Sequence, residues 1–109
     1  MNQLELNKSL AKAYGIQADR LEITCEKNEL GNIYTHKMIP INEDLYTLFL
    51  LCIEYSLSIC HFEITKEVVI GGLHDSLINE FYENYSSKQE ATCAAMFKAL
   101  CVIKNIDLK

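Results

Sequence analysis

Apolar residues recur at helical spacing in three segments of the chain. The first covers residues 4–14 and is followed by Gly15, a residue type that commonly ends a helix. After Pro40 the same spacing predicts a second helix over 43–57, with Asn42 as its N-terminal cap. Its apolar stripe is wide enough to predict a well-buried helix, and consists of Leu45, Leu48, Phe49, Cys52 and Ile53.

The third helical segment has the clearest start signal. Ser87 and Glu90 stand three residues apart and form a capping box ahead of an alanine-rich stretch. Over 88–104 apolar residues occupy almost the whole circumference of the predicted helix. Because that pattern is typical of a central element, we expect this helix in the middle of the core.

Alternation of apolar and polar residues predicts a strand over 20–27, with one buried side and one side facing water. A turn at 28–32 and a second strand at 33–39 would complete a hairpin. The buried side of the first strand would hold Leu21, Ile23 and Cys25.

A second hairpin is predicted from two short apolar segments, 58–64 and 67–71, with the Gly71–Gly72 pair at its exit. Residues 75–84 are ambiguous, although their apolar positions fit helical spacing better than alternation. Together these elements predict one α+β domain spanning all 109 residues. Its architecture would be a four-stranded antiparallel sheet, built from two hairpins and packed with three helices in layers.

The charge pattern bears on possible partners. The net charge of −5 arises in residues 41–109, which hold ten acidic and five basic residues. The acids could imitate a phosphate backbone, but moderate acidity more commonly serves solubility. Since Arg20 is the one arginine and no basic face is visible, we expect no binding to nucleic acid. No apolar run is long enough to span a bilayer and no leader is visible, so we expect a cytoplasmic protein that does not bind membranes.

The cysteines and histidines do not form a recognisable metal-binding pattern. Five cysteines without a CxxC spacing predict free thiols packed as small apolar side chains, with Cys52, Cys93 and Cys101 buried. Cys60 and His61 are neighbours on a predicted strand, so their side chains would point to opposite faces. We therefore expect no metal and no cofactor.

No enzymatic constellation is visible either. The chain has no phosphate-binding glycine loop and no nucleophile-elbow motif. Cys93 near a helix start could have a lowered pKa, but it also belongs to the apolar stripe of the last helix. We predict that the protein is not an enzyme.

One cluster outside the predicted core resembles a protein-binding surface. Tyr82 and Tyr85 are amphipathic, and tyrosine is enriched at interfaces. Glu80 and Glu83 would lie one turn apart if the segment is helical, and could form an acidic rim for a partner with a basic surface. The alternative is that both tyrosines merely cover the edge of the sheet.

Three stretches resemble the phage ABA-sandwich family of small bacteriophage proteins. They are LAKAYGI (10–16), INEDLYTLFLLCIEYSLSI (41–59) and KQEATCAAMFKAL (88–100). Residues 39–42 stand where the family has a Trp-Asn-Pro lead into its second helix. The resemblance implies an ABA-sandwich fold, a phage or prophage source and a bacterial host cell. It carries over no catalytic residues.

The leading functional hypothesis is therefore an accessory phage protein that binds a host macromolecule and possibly inhibits a host defence system. One alternative is a domain that binds a small molecule such as a nucleotide signal, or an enzymatic domain; the single arginine disfavours phosphate ligands. Another alternative is a structural homo-oligomer, which needs only an exposed strand edge or helix face.

Overall fold

A computed structural model describes residues 2–108 of the chain. In this region the helices and strands are, in chain order, α1 (Gln3–Tyr14), β1 (Asp19–Asn28), β2 (Gly31–Pro40), α2 (Leu45–Glu54), β3 (Ser58–Phe62), β4 (Glu67–Gly71), β5 (Ser76–Phe81) and α3 (Lys88–Ile103). Two short 3-10 turns, Ile41–Glu43 and Tyr82–Asn84, precede α2 and follow β5.

The α+β class is confirmed, but the prediction of a single four-stranded sheet is wrong. β1 and β2 pair only with each other, whereas β3, β4 and β5 form a separate three-stranded antiparallel sheet. The extra strand is the ambiguous segment, where Ile78 pairs with Ile70 of β4. Alternation along one strand does not reveal which other strand it will pair with, because ladder partners are chosen by tertiary contacts.

α3 lies at the centre of the core, as its all-round apolar pattern predicted. It contacts β4, β5 and α2, and nine of its residues are buried. Side chains of α1, α2 and β4 join those of α3 in one core, whose largest fully buried members include Leu10, Leu48, Val68, Ile70, Met96 and Leu100.

The helix ends follow local capping chemistry. α1 ends at Gly15, whose φ of 68° is in the left-handed region that glycine adopts without strain. The Ser87 hydroxyl accepts a 3.1 Å hydrogen bond from the Glu90 backbone N–H at the start of α3. Both predicted ends are thus confirmed.

The predicted cap and length of α2 are wrong. Asp44, not Asn42, caps the helix, and its carboxylate accepts a hydrogen bond from the Thr47 backbone N–H. Asn42 instead accepts a 2.8 Å hydrogen bond from the Asn7 side chain. The helix ends at Glu54, before Ser56 adopts a left-handed φ of 56°.

We call the β1–β2 hairpin the arm, and the rest of the described chain the body. Both faces of the arm are largely exposed, so the predicted buried side of β1 is wrong: Ile23, in its middle, is 55% exposed. The described chain measures 55 × 35 × 25 Å, a shape far longer than it is thick. The alternating pattern predicted the hairpin correctly. It did not predict that both faces of the hairpin would remain largely exposed.

α2 is also less buried than its sequence predicts. Only its inner side, with Leu48, Leu51 and Cys52, is buried. Its outer side carries a row of exposed apolar residues at helical spacing, which we call the α2 stripe: Tyr46, Phe49, Leu50 and Ile53.

The burial of Cys52, Cys93 and Cys101 is confirmed, and it raises the pKa of each thiol to about 11. The expectation of burial is wrong for Cys25, on the arm, and for Cys60, on the edge strand β3, since both are exposed. No helix within residues 2–108 is long and apolar enough to cross a membrane.

Candidate functional site: a cleft between arm and body

A cleft of about 910 Å³ lies between the base of the arm and the body. Its body side is formed by α2, β3 and α3. Apolar side chains make up its inner surface: Leu45, Phe49, Ile59 and Met96. Charged side chains surround its opening, namely Arg20, Glu22, Glu43, Glu63 and Lys88.

Arg20 holds the base of the arm against the body. Its guanidinium donates two hydrogen bonds, of 2.9 and 3.2 Å, to the two carboxylate oxygens of Asp44. The Asp44 side chain is only 3% exposed and also accepts a 2.7 Å bond from the Thr47 hydroxyl. Burial alone would raise the pKa of Asp44, but the hydrogen bonds from Arg20 and Thr47 outweigh it and lower that pKa.

The opposite rim is also held by an ion pair. Lys88, at the start of α3, donates to the Glu63 carboxylate at 2.5 Å, and this contact lowers the pKa of Glu63. The Lys88 ammonium also lies 5.4 Å from the centre of the Tyr82 ring. His61 Nδ1 is 2.7 Å from the Tyr82 hydroxyl, so one rim connects β3, α3 and the turn after β5.

The charge balance of the opening follows from these pairs. Both cationic side chains on the rim, Arg20 and Lys88, are bound to carboxylates. Glu22 and Glu43 form no ion pair within the described part of the chain. The cleft therefore combines an apolar interior with a net acidic rim.

The four residues proposed from sequence as a partner site occupy different environments. Glu80 lies on β5, and Lys98 of α3 donates to its carboxylate. Tyr85 is half-buried against the core, and its pKa is raised by burial and by its hydrogen bond with Glu80. Tyr82 is half-buried and does not itself line the cleft, while Glu83 is exposed.

These positions differ from the predicted arrangement, in which the two glutamates would lie one helical turn apart. Glu80 is in a strand and Glu83 is in a 3-10 turn, so the two carboxylates do not lie on one helical face. Glu80 and Tyr85 both interact with Lys98 of α3, whereas Tyr82 contacts the rim through His61 and Lys88. The partner site remains a prediction, and Tyr82 is its one member that contacts the cleft rim.

Two features relevant to binding were missed by sequence reasoning: the exposed arm and the α2 stripe. A signal for the stripe was present, because no charged residue occurs from Leu45 to Ile53. An uncharged helix of that length suggests either complete burial or an uncovered binding face, and the pattern alone does not separate them.

The described residues offer no metal centre, because no three His, Cys, Asp or Glu side chains in 2–108 are grouped to hold an ion. Cys93 is not an activated thiol. Burial, followed by the nearby carboxylates of Asp44 and Glu43, raises its pKa to about 11.

The chain matches no protein-family model and, at a significant level, no curated protein and no solved structure. The resemblance to the phage ABA-sandwich family therefore remains a prediction from the three sequence stretches that carry it.

Proposed function

We propose that this chain is a non-enzymatic binding protein that takes a segment of a partner protein into the cleft between arm and body. The observation that carries the proposal is the apolar interior of that cleft beside an uncovered arm. Exposed apolar surface bordered by polar groups is the usual character of a protein-binding site.

The chemistry of the cleft specifies the partner segment. Phe49 and Ile59 suit an apolar anchor side chain, whose burial would provide most of the affinity. Glu22 and Glu43 at the opening suit basic residues beside that anchor, because opposite charges speed encounter and orient the partner. The segment we propose is thus apolar at its centre and basic at its edges.

The biological setting we propose is an accessory bacteriophage protein acting on a host protein in the bacterial cytoplasm, where it could inhibit a defence system. The support for this setting is the resemblance of residues 10–16, 41–59 and 88–100 to phage ABA-sandwich proteins. Tyr82 would extend the contact beyond the cleft, since it adjoins the rim at His61.

A second candidate, binding of a small molecule, is favoured by the volume of the cleft. Its 910 Å³ lies within the range of ligand pockets, roughly 300–1,000 Å³. Against a phosphorylated ligand stands the pairing of Arg20 with Asp44 and of Lys88 with Glu63, which leaves neither cation free for phosphate.

The experiment compares three immobilised baits in a bacterial host lysate: the wild type, Tyr46→Glu and Leu73→Glu. Tyr46 lines the cleft and is 66% exposed, so the substitution adds a charge there without disturbing the core. Leu73 is exposed in the turn between β4 and β5 and provides the matched control.

We expect a host protein retained by the wild type and by Leu73→Glu but lost with Tyr46→Glu. Equal retention by all three baits would place the site outside the cleft. A rise in melting temperature on addition of adenine or guanine nucleotides, lost in Tyr46→Glu, would instead favour the small-molecule candidate.

A further inference from the structure

The three-stranded sheet has two edge strands, which differ in how well their edges are protected. The strand order is β3-β4-β5, so β3 and β5 each have one side without a strand partner within residues 2–108. The backbone N–H and C=O groups on such a side can pair with a strand of another molecule. Proteins commonly hinder this pairing with a β-bulge or with a charged side chain that points inward.

The edge at β5 has both of these protections. The ladder between β4 and β5 shifts register between Ile70 and Gly71. Glu80 of β5 stands opposite the fully buried Val68, so its charged side chain points inward, where Lys98 of α3 donates to it. A further strand at β5 would therefore meet an irregular ladder and a buried ion pair.

The edge at β3 has neither protection. The β3–β4 ladder runs in uninterrupted register along the whole of Ser58–Phe62. This segment contains no proline and no aspartate, glutamate, lysine or arginine. The arm also has free edges, but both of its strands carry charged residues within the ladder, such as Glu22 opposite Lys37. Among the strands that the structure describes, β3 is thus the one most open to pairing.

β3 also borders the cleft. Ile59 and His61 line it, and the side chain of Cys60 between them lies on the other face of the sheet, because side chains alternate along a strand. Side chains that stand opposite each other on neighbouring strands lie on the same face. A strand added to β3 would therefore direct every second side chain into the cavity that Phe49 and Met96 also line.

The charges at the opening indicate what should flank such a strand. Glu22 and Glu43 line the cleft and form no ion pair with the described residues. Both cations of the rim, Arg20 and Lys88, are already bound to carboxylates. Basic residues beside the apolar centre of the strand would therefore find complementary charges, and acidic residues would not.

We propose that the partner segment binds as a fourth strand of the sheet, with backbone hydrogen bonds to the free edge of β3 and alternate apolar side chains in the cleft. This inference rests on the proposed function and adds the conformation and residue pattern of the segment. Its central part matches the five residues of β3, roughly 17 Å at about 3.3 Å per residue, and has basic residues at its ends. Backbone pairing provides affinity, and the cleft selects the alternate side chains.

The test uses a synthetic probe peptide, Lys-Lys-Thr-Ile-Thr-Val-Thr-Ile-Lys-Lys. Two derivatives carry N-methyl groups on the backbone, one at its three threonines and the other at its three apolar residues. The N–H groups of successive residues point to opposite edges of an extended strand, so the derivatives share their side chains and block opposite edges. Each is the matched control of the other, and isothermal titration calorimetry measures their affinities for the chain.

We expect the probe to bind, and one derivative to bind at least about tenfold more weakly than the other, because it cannot donate hydrogen bonds to β3. Hydrogen exchange of the backbone amides of β3 should slow on addition of the unmethylated probe, whereas exchange in β5 should not change. A probe that does not bind, equal affinities of the two derivatives, or unchanged exchange in β3 would each overturn the proposal.

These outcomes are separate from those of the proposed function. A probe whose binding is lost in Tyr46→Glu, but does not depend on which edge is methylated, refutes strand pairing alone. A probe that binds by one edge and slows exchange in β3 equally in the wild type and in Tyr46→Glu refutes the cleft as the source of affinity, while the pairing at β3 stands.

Discussion

The arm and α3 differ most in how far their side chains are buried. Both are regular elements with clear sequence signals, yet α3 has nine buried residues and the strands of the arm have none. Burial provides the stability of α3, whereas the arm is held by its own ladder and by the contacts at its base. A strong secondary-structure pattern thus says little about how much an element contributes to the free energy of unfolding.

The largest expected effect contrasts core and arm directly. Leu100→Ala removes a fully buried side chain of α3 and should lower the free energy of unfolding by about 3 kcal/mol. Ile23→Ala in the arm should cost less than about 1 kcal/mol, because its side chain is already half in water. Urea denaturation at low protein concentration measures both, and similar losses would mean that the arm packs on the body.

A smaller effect is expected where the two regions meet. Asp44→Ala removes the cap of α2 and the partner of Arg20, and should cost about 2 kcal/mol. The arm should then loosen at its base, which faster hydrogen exchange of the backbone amides of β1 and β2 would show. Unchanged exchange would mean that the strand ladder alone holds the arm.

The stability contributed by the Arg20–Asp44 ion pair should depend on pH, and the sign of that dependence follows from the pKa of Asp44. Since the pKa of Asp44 is lowered in the folded state, its stabilisation is complete above the unfolded pKa of about 3.9 and is lost as the pH falls through the folded value. The stability difference between wild type and Asp44→Asn should be constant near neutral pH and shrink below about pH 4. A difference that stays constant into acid would contradict the role of this carboxylate.

The smallest effect concerns the rate at which an alkylating reagent modifies the cysteines, which reports the exposure of the arm and of the core. Cys25 on the arm and Cys60 on β3 are exposed, so an alkylating reagent should modify them first. Cys52, Cys93 and Cys101 should react slowly, because they are buried and their pKa values are raised to about 11. Mass spectrometry of the native protein gives the order, and fast modification of Cys52, Cys93 or Cys101 would contradict their burial.

Local chemistry made several elements predictable from sequence. The end of α1 at Gly15 and the start of α3 at Ser87 depend on residues within a few positions, so short patterns define them. The central place of α3 followed from apolar residues around its circumference. The hairpin of the arm followed from alternation on both sides of a turn.

The candidate site could be predicted from such local patterns only in small part. Tyr82 was singled out as an interface residue and does adjoin the cleft, but the cleft combines residues from Arg20 to Met96 that are distant in sequence. Glu80 looked like a free carboxylate, and only the packing of α3 on β5 shows that Lys98 neutralises it. Ion pairs between separate elements leave no periodic trace in a sequence.

The sequence by itself determined the α+β class, most of the elements and the burial of three cysteines, because these depend on local caps, periodicity and apolar content. Only the tertiary structure decided that the strands divide into a pair and a triplet, and that β1 and α2 keep apolar faces in water. The physical reason is that an alternating strand or an apolar helix face shows which side avoids water. It does not show whether the covering surface comes from the same chain or from another molecule.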